Sequence, residues 1–447
     1  MNIVEILRQP EGKTLEFKRE LSSPNPILRS VVAFANTAGG TILIGVEDKT
    51  RHVRGVNDPL ALEEKVANLI CDTISPRLLP DIEILRYRSS HVLAVRVHPS
   101  PNRPHHLGSE PENGTYVRVG STNRRADADL IAELRRYSLR HSFDEGPMLN
   151  LDSEALDFRA ASESFAEFRK LTERDLDVLG LRTVYQGRKV PTVGGILLYG
   201  RERLTHFPDA WVQAGRFMGT DRARIVDQAE LRMPLAETIP AALDFVERHL
   251  ASGVEFDRVH RQPQWKLPPV AVREALVNAV AHADYSQRGA PVRVAVFNDR
   301  LEVENPGLLP FGLTLEDLPR GVSKLRNRVI GRVFHEIRLV EHWGSGAQRM
   351  IAACREFGLP WPVWEEVGQR LRVTLRTQQV VEPEIDATDQ AILGELDANG
   401  SQTREIALVI GLSPRATRAR LAKLVKRGLA VEIGSGPQDP KRKYFPA

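Results

Sequence analysis

One predicted helix, over residues 270–283, combines an apolar body with a stripe of polar side chains. Glu274, Asn278 and His282 recur every four residues, so they share one face of the helix. The residues between them supply the apolar side that packs into a core: Ala275, Leu276, Val277 and Val280. Polar groups buried in a core cost free energy unless partners or ligands satisfy them. A fold that contains this helix must therefore provide the stripe with partners or with a ligand.

Length and composition indicate several globular domains. The chain has 447 residues, and a common domain has ~100–200, so about three or four domains are expected. A hydrophobic fraction of 42% and a charged fraction of 27% argue against wholesale disorder. The net charge of +4 is small for this length. Nucleic-acid binding can therefore be argued only from local clusters of basic residues.

The cysteines and the apolar runs indicate the compartment. Cys71 and Cys354 are far apart, and neither has a Cys or His neighbour at metal-ligand spacing. No zinc and no disulfide framework are expected, which fits a reducing environment. Residues 1–12 lack the apolar core of a signal peptide, and no stretch approaches ~18 uninterrupted apolar residues. We expect a cytoplasmic protein without membrane contact.

The first 140 residues are predicted to form a mixed α/β domain. A helix is expected to stop at Gly39-Gly40, because glycine readily adopts the positive φ of a helix end. Residues 99–104, rich in proline, are expected to form a loop. Apolar spacing predicts, in order, a helix at 27–36, a strand at 41–46, a helix at 60–74 and strands at 91–97 and 115–119.

Three sequence blocks in this domain resemble the Schlafen AlbA family. They read E-G-K-T-L-E-F-K at 11–18, A-F-A-N-T-A-G-G-T-I-L-I-G-V-E-D at 33–48 and Y-V-R-V-G-S-T-N-R-R at 116–125. The resemblance implies nucleic-acid binding. Four basic side chains in these blocks are candidate phosphate contacts: Lys18, Arg118, Arg124 and Arg125. The alternative is that they form a solvated basic loop.

The same resemblance implies, for some family members, a metal-dependent ribonuclease. Its three acids would fall here on Glu11, Glu16 and Asp48. Converging carboxylates can hold Mg²⁺ or Mn²⁺, which activates water and neutralises a scissile phosphate. The alternative is that Glu11 and Glu16 are solvated and that Asp48 caps a turn. The zinc cluster of animal Schlafen relatives has no counterpart in this sequence.

The middle of the chain carries no chemical motif. Residues 141–165 are polar and acidic and are predicted to connect domains. Beyond them, spacing predicts a helix at 172–181, a strand at 194–199 and a helix at 235–250. We interpret 141–255 as a linker and scaffold region of mixed α/β structure.

The polar stripe and two later motifs resemble the GHKL ATP-binding fold of gyrase, histidine kinases and mismatch-repair ATPases. The resemblance implies that Asn278 holds phosphate-bound Mg²⁺ and that Glu274 can orient the attacking water. E-N-P-G at 304–307, with Asn305 and Gly307, falls where that fold reads the adenine amine. G-S-G at 344–346 resembles the glycine motif whose backbone approaches the phosphates, so the last candidates are Gly344 and Gly346.

This GHKL-like module, predicted at 256–380, departs from the family at one position. Asn305 replaces the usual aspartate, although an amide oxygen still accepts a hydrogen bond. The alternatives are a nucleotide-binding module and a degenerate structural one. The set, with K-L-R-N at 324–327, looks like the helicase-related module found behind Schlafen AlbA domains. A helicase motor is not expected, because the chain has no G-x-x-x-x-G-K-[ST] loop.

The last predicted domain, 385–447, resembles a winged helix-turn-helix. Helical patterns at 387–396, 403–410 and 413–427 precede a hairpin formed by 428–434 and 442–445. The third helix would enter the major groove of DNA. It exposes four basic side chains as candidate DNA contacts: Arg415, Arg418, Arg420 and Lys423. The alternative is a winged helix that binds proteins, in which these charges are solvated.

Together these patterns predict an α+β multidomain protein: an AlbA-type domain, a mixed α/β region, a GHKL-like α/β sandwich and a winged helix. The leading functional hypothesis is a DNA-binding transcriptional regulator with an ATP-binding module. The alternatives are a metal-dependent Schlafen-type nuclease and a GHKL-type ATPase, and RNA stays open as the polymer bound by the N-terminal domain. A homodimer is expected from the two-fold habit of such regulators.

Overall fold

The computed structural model describes residues 3–48, 50–257, 260–340, 344–378, 385–397, 399–434, 439 and 442–446. The chain packs into two compact units. The first joins residues 1–131 with 381–447, and the second comprises 132–380. None of the helices within the described ranges combines the length and apolar character needed to cross a bilayer.

Helices and strands alternate along the N-terminal part of the chain. In order they are α1 Ile3–Arg8, β1 Leu15–Lys18, α2 Pro24–Asn36, β2 Gly40–Ile44, α3 Pro59–Thr73, β3 Ile74–Ser75, β4 Asp81–Tyr87, β5 Ser90–Val97, β6 His106–Leu107, α4 Pro111–Gly114, β7 Tyr116–Val119, β8 Thr122–Arg125 and α5 Ala128–Ser138.

The middle part continues with α6 Phe158–Phe165, α7 Glu173–Val178, β9 Arg182–Tyr185, β10 Arg188–Pro191, α8 Val193–Tyr199, α9 Arg203–His206, β11 Val212–Phe217, β12 Ile225–Leu231, α10 Leu235–Leu250, β13 Ala251–Asp257, β14 His260–Trp265, α11 Pro269–His282, β15 Val292–Val296, β16 Arg300–Pro306, α12 Arg328–Glu336, α13 Gly346–Glu356, β17 Val363–Val367 and β18 Arg370–Arg376. The C-terminal part contains α14 Ala387–Gly394, α15 Thr403–Ile410, α16 Pro414–Lys426, β19 Ala430–Ile433 and β20 Lys443–Pro446.

A four-stranded sheet of order β1-β2-β5-β4 forms the centre of the first unit. β1 pairs with β2 in parallel, and the other neighbours are antiparallel. Side chains along a strand point alternately to its two faces. Ile42 and Ile44 of β2 accordingly join the core formed with α2 and α3, whereas Leu43 joins a second core on the opposite face.

The C-terminal hairpin completes that second core. Ile433 and Phe445, from β19 and β20, are buried in it beside Leu7 and Phe17. The backbone N–H of Val53 donates to the Gly434 carbonyl at 3.2 Å. The guanidinium of Arg88 lies 2.5 Å from the Asp439 carboxylate, and that of Arg8 donates to the Pro446 carbonyl at 3.2 Å. Residues on both sides of the predicted boundary at 385 therefore contribute to this second core.

The three C-terminal helices follow the predicted patterns. Gly411, with φ +70°, ends α15, and Ser413 caps α16 by accepting from the backbone N–H of Ala416 at 3.2 Å. Pro414 occupies the first turn, where its missing N–H costs no hydrogen bond. The core of this helical bundle contains Ile392, Ile406, Leu421 and Leu424. With the β19–β20 pair, this is a winged helix-turn-helix.

A six-stranded sheet of order β12-β11-β15-β16-β18-β17 organises the second unit. β11, from the predicted scaffold region, pairs in parallel with β15 of the predicted GHKL-like module. The two predicted regions thus contribute to one sheet and one core. Residues 141–165 also belong to this unit. Asp144 is buried and accepts hydrogen bonds from the backbone N–H groups of Arg328, Val329 and Ile330 at 3.0, 2.7 and 2.9 Å.

The strand predicted at 194–199 is wrong. These residues form helix α8, which is buried on all sides and begins where the Thr192 hydroxyl accepts from the Gly195 N–H at 3.0 Å. A short, wholly apolar run fits a buried strand and a buried helix equally well, so periodicity could not distinguish them.

Replacing Phe445 by alanine should destabilise the first unit by about 3–5 kcal/mol, because a fully buried phenylalanine is lost from a shared core. Hydrogen exchange in β4 and β5 should rise together with exchange in β19 and β20. Leu408→Ala is the matched control, since Leu408 is 86% exposed and such sites change stability by only about 0.5 kcal/mol. Faster exchange confined to the C-terminal helices and hairpin would show that the shared core is unimportant.

Candidate functional sites

A cavity of about 440 Å³ lies in the second unit. Its walls come from α11, α12, the start of α13, residues 308–325 and the inner face of β16 and β18. The volume is typical of small-molecule sites. Five of the six predicted nucleotide-binding residues line this cavity: Glu274, Asn278, Asn305, Gly344 and Gly346.

Gly307, the sixth predicted nucleotide residue, is not among the lining residues. Its φ of +98° favours glycine, and its N–H donates to the Gln369 carbonyl at 2.8 Å. A Cβ at this position would lie 2.9 Å from the Cβ of Asp284. Gly307 therefore serves the turn that follows β16.

The polar stripe of α11 faces the first turn of α13. Glu274 is buried, and its Oε1 accepts from Nη2 of Arg349 at 2.7 Å. A Cβ on Gly346 would lie only 2.6 Å from Oε2 of Glu274 and 3.2 Å from Nδ2 of Asn278. Glycine at position 346 thus lets the start of α13 approach the stripe.

Gly344 has a related requirement. Its φ is +63°, and a Cβ there would overlap the hydroxyl of Ser323. A Cβ on Gly321 would lie 2.9 Å from the side chain of Gln348. The segment 321–324 therefore packs against the glycine motif through Ser323 and against the first turn of α13 through Gly321.

Asn305 presents an acceptor towards the cavity. Its Nδ2 donates to the Pro306 carbonyl at 3.0 Å, and within the described ranges its Oδ1 receives no hydrogen bond. The substitution of aspartate by asparagine therefore preserves an acceptor. His282 also lines the cavity, and burial together with the Arg326 guanidinium lowers its pKa to about 4, so its ring is neutral at pH 7.

The cavity lining carries more basic than acidic side chains, with Arg349 paired to Glu274 and Arg328 lying 3.5 Å from Glu145. Glu274 is its one acidic side chain among the described residues, against four basic ones: Lys324, Arg328, Arg332 and Arg349. This imbalance favours an anionic ligand. Sequence reasoning missed the three arginines. Arg328 and Arg332 are spaced i, i+4 on α12, whose apolar positions Val329, Val333 and Phe334 offered a signal of helical spacing.

The predicted acidic trio is only partly assembled. The Glu11 carboxyl shares a hydrogen bond with Asp48, and its Oε1 accepts from the Phe17 N–H at 2.5 Å. Burial and the Asp48 hydrogen bond raise the pKa of Glu11 to about 7.

Glu16, in contrast, is neutralised by cations. Its two carboxylate oxygens lie 2.6 Å from Nη1 of Arg118 and 2.6 Å from Nζ of Lys18. Across the described ranges, no group of three or more His, Cys, Asp and Glu side chains could hold a metal ion. The trio does not fit a metal site here, and we derive no cleavage step from it.

The AlbA-type basic residues differ in their surroundings. Arg118 is buried, bonded to Glu16 and stacked 5.1 Å from the Phe34 ring, so its predicted phosphate contact stays a prediction that these partners do not favour. Arg125 donates to the Glu112 carbonyl at 2.9 Å and to Asn113 Oδ1 at 2.6 Å. Arg124 and Arg125 are exposed, whereas Lys18 is partly buried.

On α16, Arg415, Arg418 and Lys423 are exposed. Arg420 is engaged instead, with Nη1 at 2.6 Å from Asp386 and 2.7 Å from Asp389. Asp386 also caps α14. Arg420 thus links α16 to the start of α14, and its predicted contact with nucleic acid stays a prediction that these ion pairs do not favour.

Models of three families match consecutive stretches of the chain. They are Schlafen, AlbA_2 at 11–127, "Putative ATP-dependent DNA helicase recG C-terminal" at 289–375 and the AsnC-type helix-turn-helix domain at 385–425. The chain carries a Schlafen AlbA_2 domain, a RecG-type ATPase-like domain and an AsnC-type helix-turn-helix domain. The AlbA_2 and helix-turn-helix domains indicate nucleic-acid binding, and the ATPase-like domain indicates ATP binding.

Solved structures similar to this chain include the DIP2311 protein from Corynebacterium diphtheriae. It is 18% identical, with a TM-score of 0.45, over 97% of this chain and 95% of that one. Another is the N-terminal domain of a RecG-related protein from Nitrosomonas europaea. It is 22% identical, with a TM-score of 0.22, over 27% of this chain and 91% of that one. No curated protein matches the chain.

The raised pKa of Glu11 in the AlbA_2 domain predicts a pH dependence. A carboxyl whose pKa is raised in the folded protein contributes stability below its unfolded pKa, and that contribution is lost as the pH rises through about 7. Wild type should therefore lose more thermal stability between pH 5 and pH 8 than Glu11→Gln, which cannot ionise. Carbon-13 NMR of labelled glutamate carboxyls should show one resonance titrating near pH 7 that Glu11→Gln removes. Its titration near pH 4.5 would contradict the prediction.

Proposed function

We propose that this protein is a DNA-binding transcriptional regulator whose ATPase-like domain binds ATP. The observation that carries the proposal is the cavity, which combines the predicted stripe and glycine motif with a cationic lining. The exposed basic residues of α16 support DNA as the polymer. Regulation of transcription follows from joining a ligand-binding domain to a DNA-reading helix.

The lining residues fit a nucleoside triphosphate. The backbone at Gly344 and Gly346 and the N-terminus of α13 would face its phosphates, because such a terminus attracts anions. Asn278 would hold the Mg²⁺ that accompanies the phosphates. Oδ1 of Asn305 would accept from the adenine amine, a donor that guanine lacks at that position. Apolar residues beside Asn305 would cover the base: Val303, Leu308, Leu371 and Val373.

The geometry favours binding over hydrolysis. A glutamate that activates water must be available as a base, but Oε1 of Glu274 is 2.7 Å from the Arg349 guanidinium. This charge-assisted hydrogen bond occupies Oε1 and competes with water for it. We therefore propose ATP as a regulatory ligand.

DNA recognition is proposed for α16. The first turns of a recognition helix contact base edges, and Arg415 and Arg418 occupy those turns with exposed side chains. Arginine reads guanine by two hydrogen bonds. Lys423 lies further along the helix, at a position suited to phosphate. A homodimer would present two such helices to a two-fold site, and light scattering of the full chain tests this assembly.

For ATP binding, Asn278→Ala should lower affinity about 10-fold or more, because a ligand of the phosphate-bound cation is lost. Isothermal titration calorimetry with Mg²⁺ present measures the effect. Asn102→Ala, at an exposed loop position of the AlbA_2 domain, is the control. Wild type should also prefer ATP to GTP, and Asn305→Ala should weaken that preference. Failure of wild type to bind ATP would refute this half of the proposal.

For DNA binding, selection from a random duplex library should yield a preferred sequence. Arg415→Ala and Arg418→Ala should each lower affinity for it about 10-fold, through lost base contacts. Lys423→Ala should weaken binding to all DNA sequences alike. It should also reduce the slope of log affinity against log salt concentration by the equivalent of about one phosphate contact. Arg188→Ala, exposed on β10, serves as the control. Unchanged selectivity in both arginine variants would place recognition elsewhere.

A further inference from the structure

We propose that Lys324 is a ligand for the terminal phosphate of ATP and that binding of the triphosphate takes this lysine away from Tyr137 of α5. The inference rests on the proposed ATP binding and adds a named switch to it. It predicts that the protein distinguishes ATP from ADP through one side chain. It also makes the end of α5 the element that responds to the nucleotide.

The present partners of Lys324 are neutral. Its Nζ donates to the Tyr137 hydroxyl at 2.7 Å and to the Phe311 carbonyl at 3.1 Å, and it lies 4.0 Å from the centroid of the Tyr137 ring. No carboxylate in the described part of the chain pairs with it. A phosphate would offer the Lys324 ammonium an opposite charge as well as an acceptor, and its present neutral partners supply no such Coulombic attraction. A phosphate in the cavity would therefore compete effectively for Lys324.

The position of Lys324 suits this exchange. Lys324 lines the cavity, and its neighbour Ser323 touches Gly344 so closely that a Cβ on the glycine would overlap the serine hydroxyl. Gly344 immediately precedes Ser345, the N-cap of α13. Lys324 thus belongs to the same end of the cavity as the proposed phosphate-binding backbone.

A second contact keeps the segment in place while Lys324 changes partners. Arg326 forms an ion pair with Glu133 and also donates to the Leu308 carbonyl. Glu133 and Tyr137 are four residues apart, so they share one face of α5. The Tyr137 ring also meets Phe311 edge-on, with centroids 5.9 Å apart. Loss of the hydrogen bond between Lys324 and Tyr137 would therefore loosen the packing of Tyr137 against residues 311–324. The ion pair between Arg326 and Glu133 would still hold α5 to this segment.

The helix that responds to the nucleotide in this switch is α5. α5 runs from Ala128 to Ser138 as one helix, and the AlbA_2 domain ends at its start. A change at Tyr137 is therefore a change in the helix that follows the nucleic-acid-binding domain. ADP lacks the terminal phosphate and would leave Lys324 on Tyr137.

The test compares ATP and ADP affinities of the full chain by calorimetry. Lys324→Met should weaken ATP binding about 10-fold, because a charge-assisted hydrogen bond is lost, and should change ADP binding little. Tyr137→Phe keeps the ring and removes the competing hydroxyl, so it should strengthen ATP binding and leave ADP binding unchanged. Lys266→Met, at an exposed position of the same unit, is the matched control.

Hydrogen exchange supplies an independent readout. ATP should increase exchange at residues 134–138 of wild type relative to ADP, and Lys324→Met should abolish that difference. Wild type that binds no nucleotide would overturn both this inference and the proposed function. Wild type that binds ATP, with an ATP-to-ADP ratio unaltered in Lys324→Met and Tyr137→Phe, would overturn the switch alone.

Discussion

Both faces of the four-stranded sheet and of the six-stranded sheet must be covered, by apolar packing or by paired charges. The rest of the structure depends on which elements supply that cover. In the first unit, both faces of the four-stranded sheet are apolar. Helices α2 and α3 cover one face. The short helix α1 cannot cover the other alone, and Ile433 and Phe445 of the C-terminal hairpin complete it. The burial of apolar surface thereby joins the AlbA_2 domain and the helix-turn-helix domain into a single unit.

The two faces of the six-stranded sheet in the second unit are covered in different ways. Its inner face packs against helices, and a space lined by α11, α12 and α13 remains as the cavity. Its outer face carries Glu302 and Glu304, which are kept buried by arginines at hydrogen-bond distance: Arg222, Arg300 and Arg372. Because buried carboxylates require partners, these ion pairs stabilise Glu302 and Glu304 on the outer face of the sheet. The cavity therefore lies on the apolar side of the sheet, where its cationic rim can serve a ligand.

Much of the cavity could be predicted from the sequence, because its motifs lie on elements with clear local signals. The i, i+4, i+8 stripe fixed one face of α11, and the glycines at 344 and 346 marked a close backbone approach. The cationic lining was not predictable in the same way. Lys324, Arg328 and Arg349 come from three different elements, and only packing brings them to one space. The same applies to Tyr137, which is separated from Lys324 by 187 positions.

The sequence by itself determined the order of the elements, the three domain types and the stripe that requires partners or a ligand, since these depend on local periodicity and turn chemistry. Only the tertiary structure decided which charged groups remain available. It paired Glu16 with Arg118 and Arg420 with Asp386, and it left Arg415 and Arg418 exposed. The physical reason is that a charge's role depends on its nearest opposite charge and on its burial, and residues distant in sequence set both. The polar stripe of α11 illustrates this: its spacing was local, but its partner Arg349 came from α13.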